Sequence, residues 1–226
     1  NNDKYNIYIF GAGSKIARKA IGNLNNYNIL GFAKKTKIRS ITEYKTIRIK
    51  SYEECGKYIN KINSSRNILI FMETLSISNL IVNKSKKEIK DEIDVNLINP
   101  HIVIKSVLPL LIKNRWGRII FAGSSRALKS DTGISGYTLS KFASLGYSKS
   151  LSKEYGRFGI TSNYLSLGLF ESPLLEKLKK TDYEKILKNT DTKSIGDYES
   201  ISNALEFIIN SKYVTGSKIN IDGGFD

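Results

Sequence analysis

Short apolar runs alternate with stretches of helical spacing along almost the whole chain, and that alternation leaves few folds open. Tyr5-Asn6-Ile7-Tyr8-Ile9-Phe10 is β-rich and breaks at Gly11-Ala12-Gly13-Ser14. Ile16, Ala17, Ala20, Ile21 and Leu24 then fall at helical spacing. Asn28–Ala33 reads as a second strand, Thr46–Ile49 as a third and Glu53–Ile62 as a helix. Asn67–Phe71 is a fourth strand, continuously apolar as strands buried on both faces are. The stretch 72–90 is polar and reads as irregular. Helical spacing resumes from Ile93 to Ile112, where Pro100 predicts a kink or a restart. Arg118–Gly123 is a fifth strand, Gly136–Arg157 a long helix and Ile160–Ser166 a sixth strand. A mostly polar helical segment, 170–188, follows Gly168. Asp197 caps a helix running to Ile209, and Lys218–Ile221 is the last strand. Strands alternating with helices in this way predict an α/β chain: one domain over residues 1–226, with a doubly wound parallel sheet flanked by helices.

Composition narrows the function classes. Hydrophobic residues make up 40% of the 226, enough for a sizeable core, and three prolines with no Gly/Ser-rich linker argue against a domain break. No internal repeat is visible. The lone Cys55 cannot form an internal disulfide, which suits a reducing cytoplasm, and the lone His101 cannot build a His-based metal site. No apolar run approaches the ~20 residues of a membrane span, and no targeting segment opens the chain. The expectation is a cytoplasmic protein with no metal and no membrane partner. The net charge of +15 raises the question of nucleic acid, but the lysines are scattered, and no helix-turn-helix, zinc finger or RNA-binding signature accompanies them. An anionic small molecule or an acidic carrier explains a basic surface better than nucleic acid does.

Three side chains suggest chemistry. Ser124 closes the fifth strand. Tyr137 and Lys141 lie four apart where the long helix begins, so both project from one face. A phenol beside an ammonium ionises more readily, and a hydroxyl from the strand end adds a second donor. Such a set can polarise a carbonyl and give it a proton. At the other end of the chain, the turn Gly11-Ala12-Gly13-Ser14 joins a strand to a helix, placing free backbone N–H groups where a phosphate can sit. Lys34 and Lys35 follow the second strand at once, with no acid before Glu43. In dinucleotide-binding folds a basic residue there accommodates a ribose 2′-phosphate, which favours NADP(H) over NAD(H).

Taken together, the chain resembles the short-chain dehydrogenase/reductase family from Ile7 to Gly224, which implies a Rossmann-type sheet. The quoted features are Gly117-Arg118-Ile119-Ile120 leading to Ser124, the Tyr137-x-x-Ser140-Lys141 motif, and Phe142-Ala143-Ser144-Leu145-Gly146. Gly159-Ile160-Thr161-Ser162-Asn163, Asp94-Val95-Asn96-Leu97 and Tyr213-Val214-Thr215-Gly216 through Asp222-Gly223-Gly224 add to them. The resemblance implies that Tyr137 is general acid or base, that Lys141 lowers its pKa and holds the cofactor ribose, and that Ser124 polarises the carbonyl. It implies further that Asn96 holds a water in the proton relay. Gly11, Gly13, Ser14, Lys15, Ile16, Lys34, Lys35, Tyr137, Lys141, Gly168 and Ser172 would contact the cofactor.

The chain departs from the family in four places. Lys15 and Ala17 replace turn glycines, Phe71-Met72-Glu73-Thr74 replaces Asn-Asn-Ala-Gly, Lys50-Ser51 replaces an adenine-binding Asp, and Leu167-Gly168 replaces Pro-Gly. The implied activity is interconversion of a carbonyl and a secondary alcohol by an NADP(H)-dependent oxidoreductase. The substrate is either a 3-oxoacyl thioester, with Arg115, Arg118 and Arg157 offering charge to an acidic carrier, or a sugar or nucleotide-sugar. The alternative is a catalytically weak or non-catalytic binding or assembly subunit. A homodimer or homotetramer built on the helices after strands four and five is also implied.

Overall fold

A computed structural model describes residues 5–22, 24, 26–34, 43–62, 64–171, 183–184 and 187–225. Seven parallel strands form one sheet in the order β3-β2-β1-β4-β5-β6-β7. They are β1 (Asn6–Phe10), β2 (Asn28–Ala33), β3 (Lys45–Arg48), β4 (Asn67–Phe71), β5 (Gly117–Ala122), β6 (Ile160–Leu167) and β7 (Lys218–Ile221). The helices are α1 (Lys15–Gly22), α2 (Glu53–Ile62), α3 (Lys86–Ile93), α4 (Asn99–Asn114), α5 (Ser125–Lys129), α6 (Ser135–Tyr155) and α7 (Tyr198–Asn210).

The core explains why the strands carry no polar face. Every residue of β1, β4 and β6 is buried. Ile7, Ile9, Ile68 and Ile70 pack with Ile21 of α1 and Leu205 and Ile208 of α7. The alternate residues, Tyr8, Phe10, Leu69 and Phe71, pack on the other face with Ile59 of α2 and Val103 and Val107 of α4. Parallel strands joined by crossover helices are covered on both sides, so both parities must be apolar. In-register pairing also aligns an aromatic row, Phe32–Phe10–Phe71–Phe121, with neighbouring ring centroids 4.8 to 5.4 Å apart. This row lies near the carboxyl ends of the strands and stiffens the platform beneath the site.

Strand order places the functional crevice. From β1 the chain winds outward through β2 and β3, then returns to β4 on β1's other side. Ligands in open α/β sheets bind outside the carboxyl ends of the strands at such a switch point.

Two sequence expectations need correction. The stretch 72–90 is not irregular throughout, because α3 starts at Lys86. Ser85 accepts from Glu88 N and the Glu88 carboxylate accepts from Ser85 N, a capping box that the Ser-x-x-Glu spacing encodes. At Pro100 the helix does restart: Asp94–Ile98 forms a π-helical turn, with Asn99 N bonded to Asp94 O, and α4 begins at Asn99 with the proline, which has no N–H to give Asn96 O, in its first turn. The resulting run, Lys86–Asn114, is long and apolar enough by length and composition to cross a membrane, contrary to the expectation that no run approaches that length. Here Val103, Ile104, Val107 and Leu111 are buried in the core cluster of one sheet face. The helical expectation for 170–188 falls largely outside the described residues.

Candidate active site

The carboxyl ends of β1, β4, β5 and β6 enclose a cleft of about 180 Å³. Ser14, Ile16, Met72, Thr74, Ser124, Tyr137, Lys141 and Gly168 line it, with Ala122, Gly123 and Leu167. Six of the predicted site residues, from four separate parts of the chain, therefore meet in one place.

Ser124 is the N-cap of α5, and its Oγ accepts from Ala127 N at 3.2 Å. That bond occupies a lone pair and leaves the O–H to donate into the cleft. Ser124 N donates to Tyr164 Oη at 3.3 Å, a contact made possible by Gly123, where a Cβ would fall 2.0 Å from the Tyr164 ring. The neighbouring Ser125 turns away. Its Oγ is 2.7 Å from Asp222 Oδ2 and 3.2 Å from Ser166 Oγ, tying together the ends of β5, β6 and β7.

Tyr137 and Lys141 occupy the first turns of α6. Lys141 is 3% exposed, its Nζ donates to Ala122 O at 2.9 Å and lies 5.7 Å from the Tyr137 ring centroid. Burial depresses its pKa from the ordinary lysine value to about 8. Asn96 is buried but does not line the cleft. Its Nδ2 donates to Leu75 O and to Ser140 Oγ, both at 2.8 Å, and its Oδ1 accepts from Leu75 N at 2.9 Å. The side chain is thus committed to holding the 75–77 segment against α6.

On the phosphate side, Gly11 takes φ +82, and a Cβ there would lie 2.4 Å from Glu73 N, so the turn requires glycine. Gly13 lies within the turn. Ser14 Oγ accepts from Ala17 N at 3.0 Å and caps α1, and Tyr44 Oη donates to Ala12 O at 2.9 Å. Lys15 Nζ reaches Glu171 at 3.4 Å, spanning from the turn to the chain beyond β6. Lys34 Nζ sits 4.5 Å from the Tyr52 ring centroid at the end of β2. Lys35 and Ser172 lie outside the described residues.

A close turn at a helix start, a basic side chain at the end of β2, and a lysine beside a tyrosine fit a dinucleotide's diphosphate, 2′-phosphate and ribose. Glu73 is the discordant member. Burial raises its carboxyl pKa, and the Lys34 charge opposes that shift.

Sequence reasoning also misplaces the three arginines. Arg118 is the second residue of β5 and is 4% exposed, its guanidinium bonded to Ile209 O, Gly117 O and Gly159 O. Arg115 caps the end of α4 and Arg157 follows α6. All three lie at the amino ends of β5 and β6. The length of the 21-residue α6, about 30 Å, separates Arg157 from Tyr137. They cannot present charge at the mouth of this cleft. Residues that sequence reasoning missed include Tyr164 and the buried pair Lys84 and Glu92. Their spacing is ordinary.

Known proteins share this fold. A family model described as enoyl-(acyl carrier protein) reductase matches residues 49–226. The 3-oxoacyl-[acyl-carrier-protein] reductase FabG of Buchnera aphidicola subsp. Acyrthosiphon pisum is 35% identical over 218 residues, 94% of this chain and 85% of that protein. Its counterpart in Rickettsia felis is 28% identical, covering 95% of this chain and 92% of that protein. Among solved structures, actinorhodin polyketide ketoreductase with NADPH superposes with a TM-score of 0.90 at 17% identity, over 99% of this chain and 98% of that one. ElxO with NADP bound gives 0.86 at 20% identity, over 98% of each chain. A Burkholderia thailandensis oxidoreductase of the short-chain dehydrogenase/reductase family gives 0.88 at 18% identity, over 98% of this chain and 92% of that one. With the sheet order, the family model and a relative above 30% identity over most of both chains in agreement, this chain is a member of the short-chain dehydrogenase/reductase family related to the 3-oxoacyl-[acyl-carrier-protein] reductases.

Proposed function

We propose that the chain is a cytoplasmic, NADP(H)-dependent reductase of 3-oxoacyl thioesters presented on an acyl carrier. The observation that supports this most is the convergence of Ser124, Tyr137 and Lys141 on one cleft with the α1 turn. Bound there, the nicotinamide cofactor supplies the hydride. Negative charge develops on the substrate oxygen as the carbonyl is reduced. Ser124 O–H, its lone pair taken by Ala127 N, donates to that oxygen, and Tyr137 delivers the proton. Lys141 holds positive charge behind Tyr137 and would hold the cofactor ribose. Asn96 braces Leu75 and Ser140 beside these groups and would support the proton relay from there.

NADP(H) over NAD(H) rests on Lys34 at the end of β2, and the two structural neighbours solved with NADP(H) lend support. The carrier-bound substrate rests on the relatives' specificity and not on Arg115, Arg118 or Arg157. The family model's description raises enoyl thioesters as a second reading. A panel with NADPH separates them: a 3-oxobutanoyl thioester, a 2-butenoyl thioester and a keto-sugar. Turnover of the first, lost in Tyr137→Phe with NADPH binding retained, is the expected result. Undiminished turnover by Tyr137→Phe refutes the mechanism. Preference for either other substrate refutes the specificity.

A further inference from the structure

Beneath the amino end of α6 lies an ion pair that the cleft itself does not use. Lys84 Nζ and Glu92 Oε2 are 3.0 Å apart, and the two side chains are 1% and 0% exposed. Both charges are out of water, a costly arrangement that survives only when the remaining polar capacity is used. Part of it goes to one residue. Glu92 Oε1 accepts from Ile77 N at 2.8 Å, and Lys84 Nζ donates to Ile77 O at 2.6 Å. The pair therefore grips the backbone of Ile77 at both polar groups. Beyond that ion pair, Glu92 Oε2 has no further hydrogen-bond partner among the described residues. In front of it stands Gly136, where a Cβ would fall 2.1 Å from Oε2 and 2.8 Å from Lys84 Cε.

Gly136 immediately precedes Tyr137. The segment gripped at Ile77 is tied to the same helix by two further contacts. Asn79 N donates to Gly133 O at 2.9 Å, just ahead of α6. One turn along from Glu92, Asn96 joins Leu75 to Ser140, whose Oγ donates to Tyr137 O at 2.8 Å.

We propose that Lys84 and Glu92 are a positioning pair for Tyr137, setting the height of α6's first turn over the cleft through contact with Gly136 and the clamp on Ile77. This rests on Tyr137 being the proton donor proposed above. An apolar pair of similar volume would fill the same space without fixing Ile77 or bearing on Gly136 through a rigid carboxylate. It would keep the fold and lose the placement.

The test uses the double variant Lys84→Met/Glu92→Leu, which leaves no uncompensated buried charge. Gly136→Ala is the second variant. It keeps both charges, suits a helix, and drives a methyl against Glu92. Both are assayed with NADPH and a 3-oxobutanoyl thioester. Each should show the thermal midpoint of a folded protein, an NADPH Kd within about twofold of wild type, and a kcat lower by about ten- to a hundredfold, as a misplacement near 1 Å produces. The solvent deuterium isotope effect on kcat should rise, because proton transfer becomes slower relative to other steps. A purely structural role would lower the thermal midpoint and leave kcat and the isotope effect of the folded enzyme unchanged.

Wild-type kcat and isotope effect in the folded double variant overturn the proposal. Should that variant not fold, the same result in Gly136→Ala overturns it. Tyr137→Phe run alongside keeps the two readings apart. An active Tyr137→Phe sinks the proton-donor assignment, whereas an inactive one beside two unaffected variants sinks only the positioning pair.

Discussion

Lys141 sets a measurable conflict between stability and chemistry. Burial brings its pKa down from the usual 10.5 to about 8 in the folded protein. At 1.36 kcal/mol per pKa unit, holding it charged in the fold costs about 3 kcal/mol below pH 8. Replacement by Met, similar in length and uncharged, removes that cost. It also removes the bond from Nζ to Ala122 O, worth about 1 kcal/mol. Lys141→Met should therefore be more stable than wild type by about 2 kcal/mol near neutral pH, a rise of roughly 5 °C in Tm for a chain of this size. The sign follows from linkage. Between about 8 and 10.5 the unfolded chain binds the proton and the folded chain does not, so wild-type stability climbs with pH across that window. The penalty is complete below the window and gone above it. By about pH 9.5 it has shrunk to about half, and most of the variant's advantage is gone. Urea unfolding of the cofactor-free proteins at the two pH values measures both, and turnover of the variant should be lost throughout. A variant less stable than wild type at neutral pH, or an advantage that does not shrink on raising the pH, refutes the reasoning.

Other perturbations follow from single contacts. Gly123→Ala places a methyl 2.0 Å from the buried Tyr164 ring; displacing the ring should cost about 1–3 kcal/mol in urea unfolding and lower kcat through Ser124. Asp222→Ala strips Ser125 Oγ and Gly224 N of their acceptor, and a loss of about 1–3 kcal/mol is expected by the same measurement. Glu73 has a raised pKa because burial penalises its carboxylate, so wild-type stability is higher below the ordinary Glu value and falls as pH rises through the folded one. Glu73→Gln should remove that fall and tighten NADPH binding, read by cofactor fluorescence across pH, since the ionised carboxylate stands near Lys34 on the phosphate side.

What could be read from the sequence was what periodicity and motif spacing encode. Asn67–Phe71 is apolar at every position because both faces of a central parallel strand are covered, and its limits match β4. Ser124, Tyr137 and Lys141 were legible because a strand end and the start of a helix fix their relative placement. Arg118 was not. It is the second residue of an apolar strand, and nothing local shows that three backbone carbonyls, from Gly117, Gly159 and Ile209, wait to receive its guanidinium. The bonds of Asn96 were not legible either, because its partners Leu75 and Ser140 come from elsewhere in the chain. The Ser85–Glu88 box shows a different failure. The signal is local, yet the surrounding lysines masked the helix that it starts.

The long helix α6 shows why the site resists reading by hydrophobic pattern. Its buried positions include Gly136, Ser140, Lys141, Ser144 and Ser148, with Leu151 the single large apolar residue among those fully buried. An amphipathic pattern cannot reveal a face made of small polar groups. Each of the three serines is satisfied: Ser140 Oγ by Tyr137 O and Asn96, Ser144 Oγ by Lys141 O, and Ser148 Oγ by Ser162 Oγ on β6 at 3.0 Å. Small side chains allow the helix to lie close on β5 and β6, and that closeness drives Lys141 out of water against Ala122 O. An ordinary apolar stripe of Leu and Ile would hold the helix farther from the sheet and leave the lysine room to hydrate. The low pKa of Lys141, the contact of Gly136 with Glu92 and the reach of Tyr137 into the cleft thus share one cause, the thinness of this helix face. A larger residue at Ser144 or Ser148 should for that reason disturb turnover as well as stability.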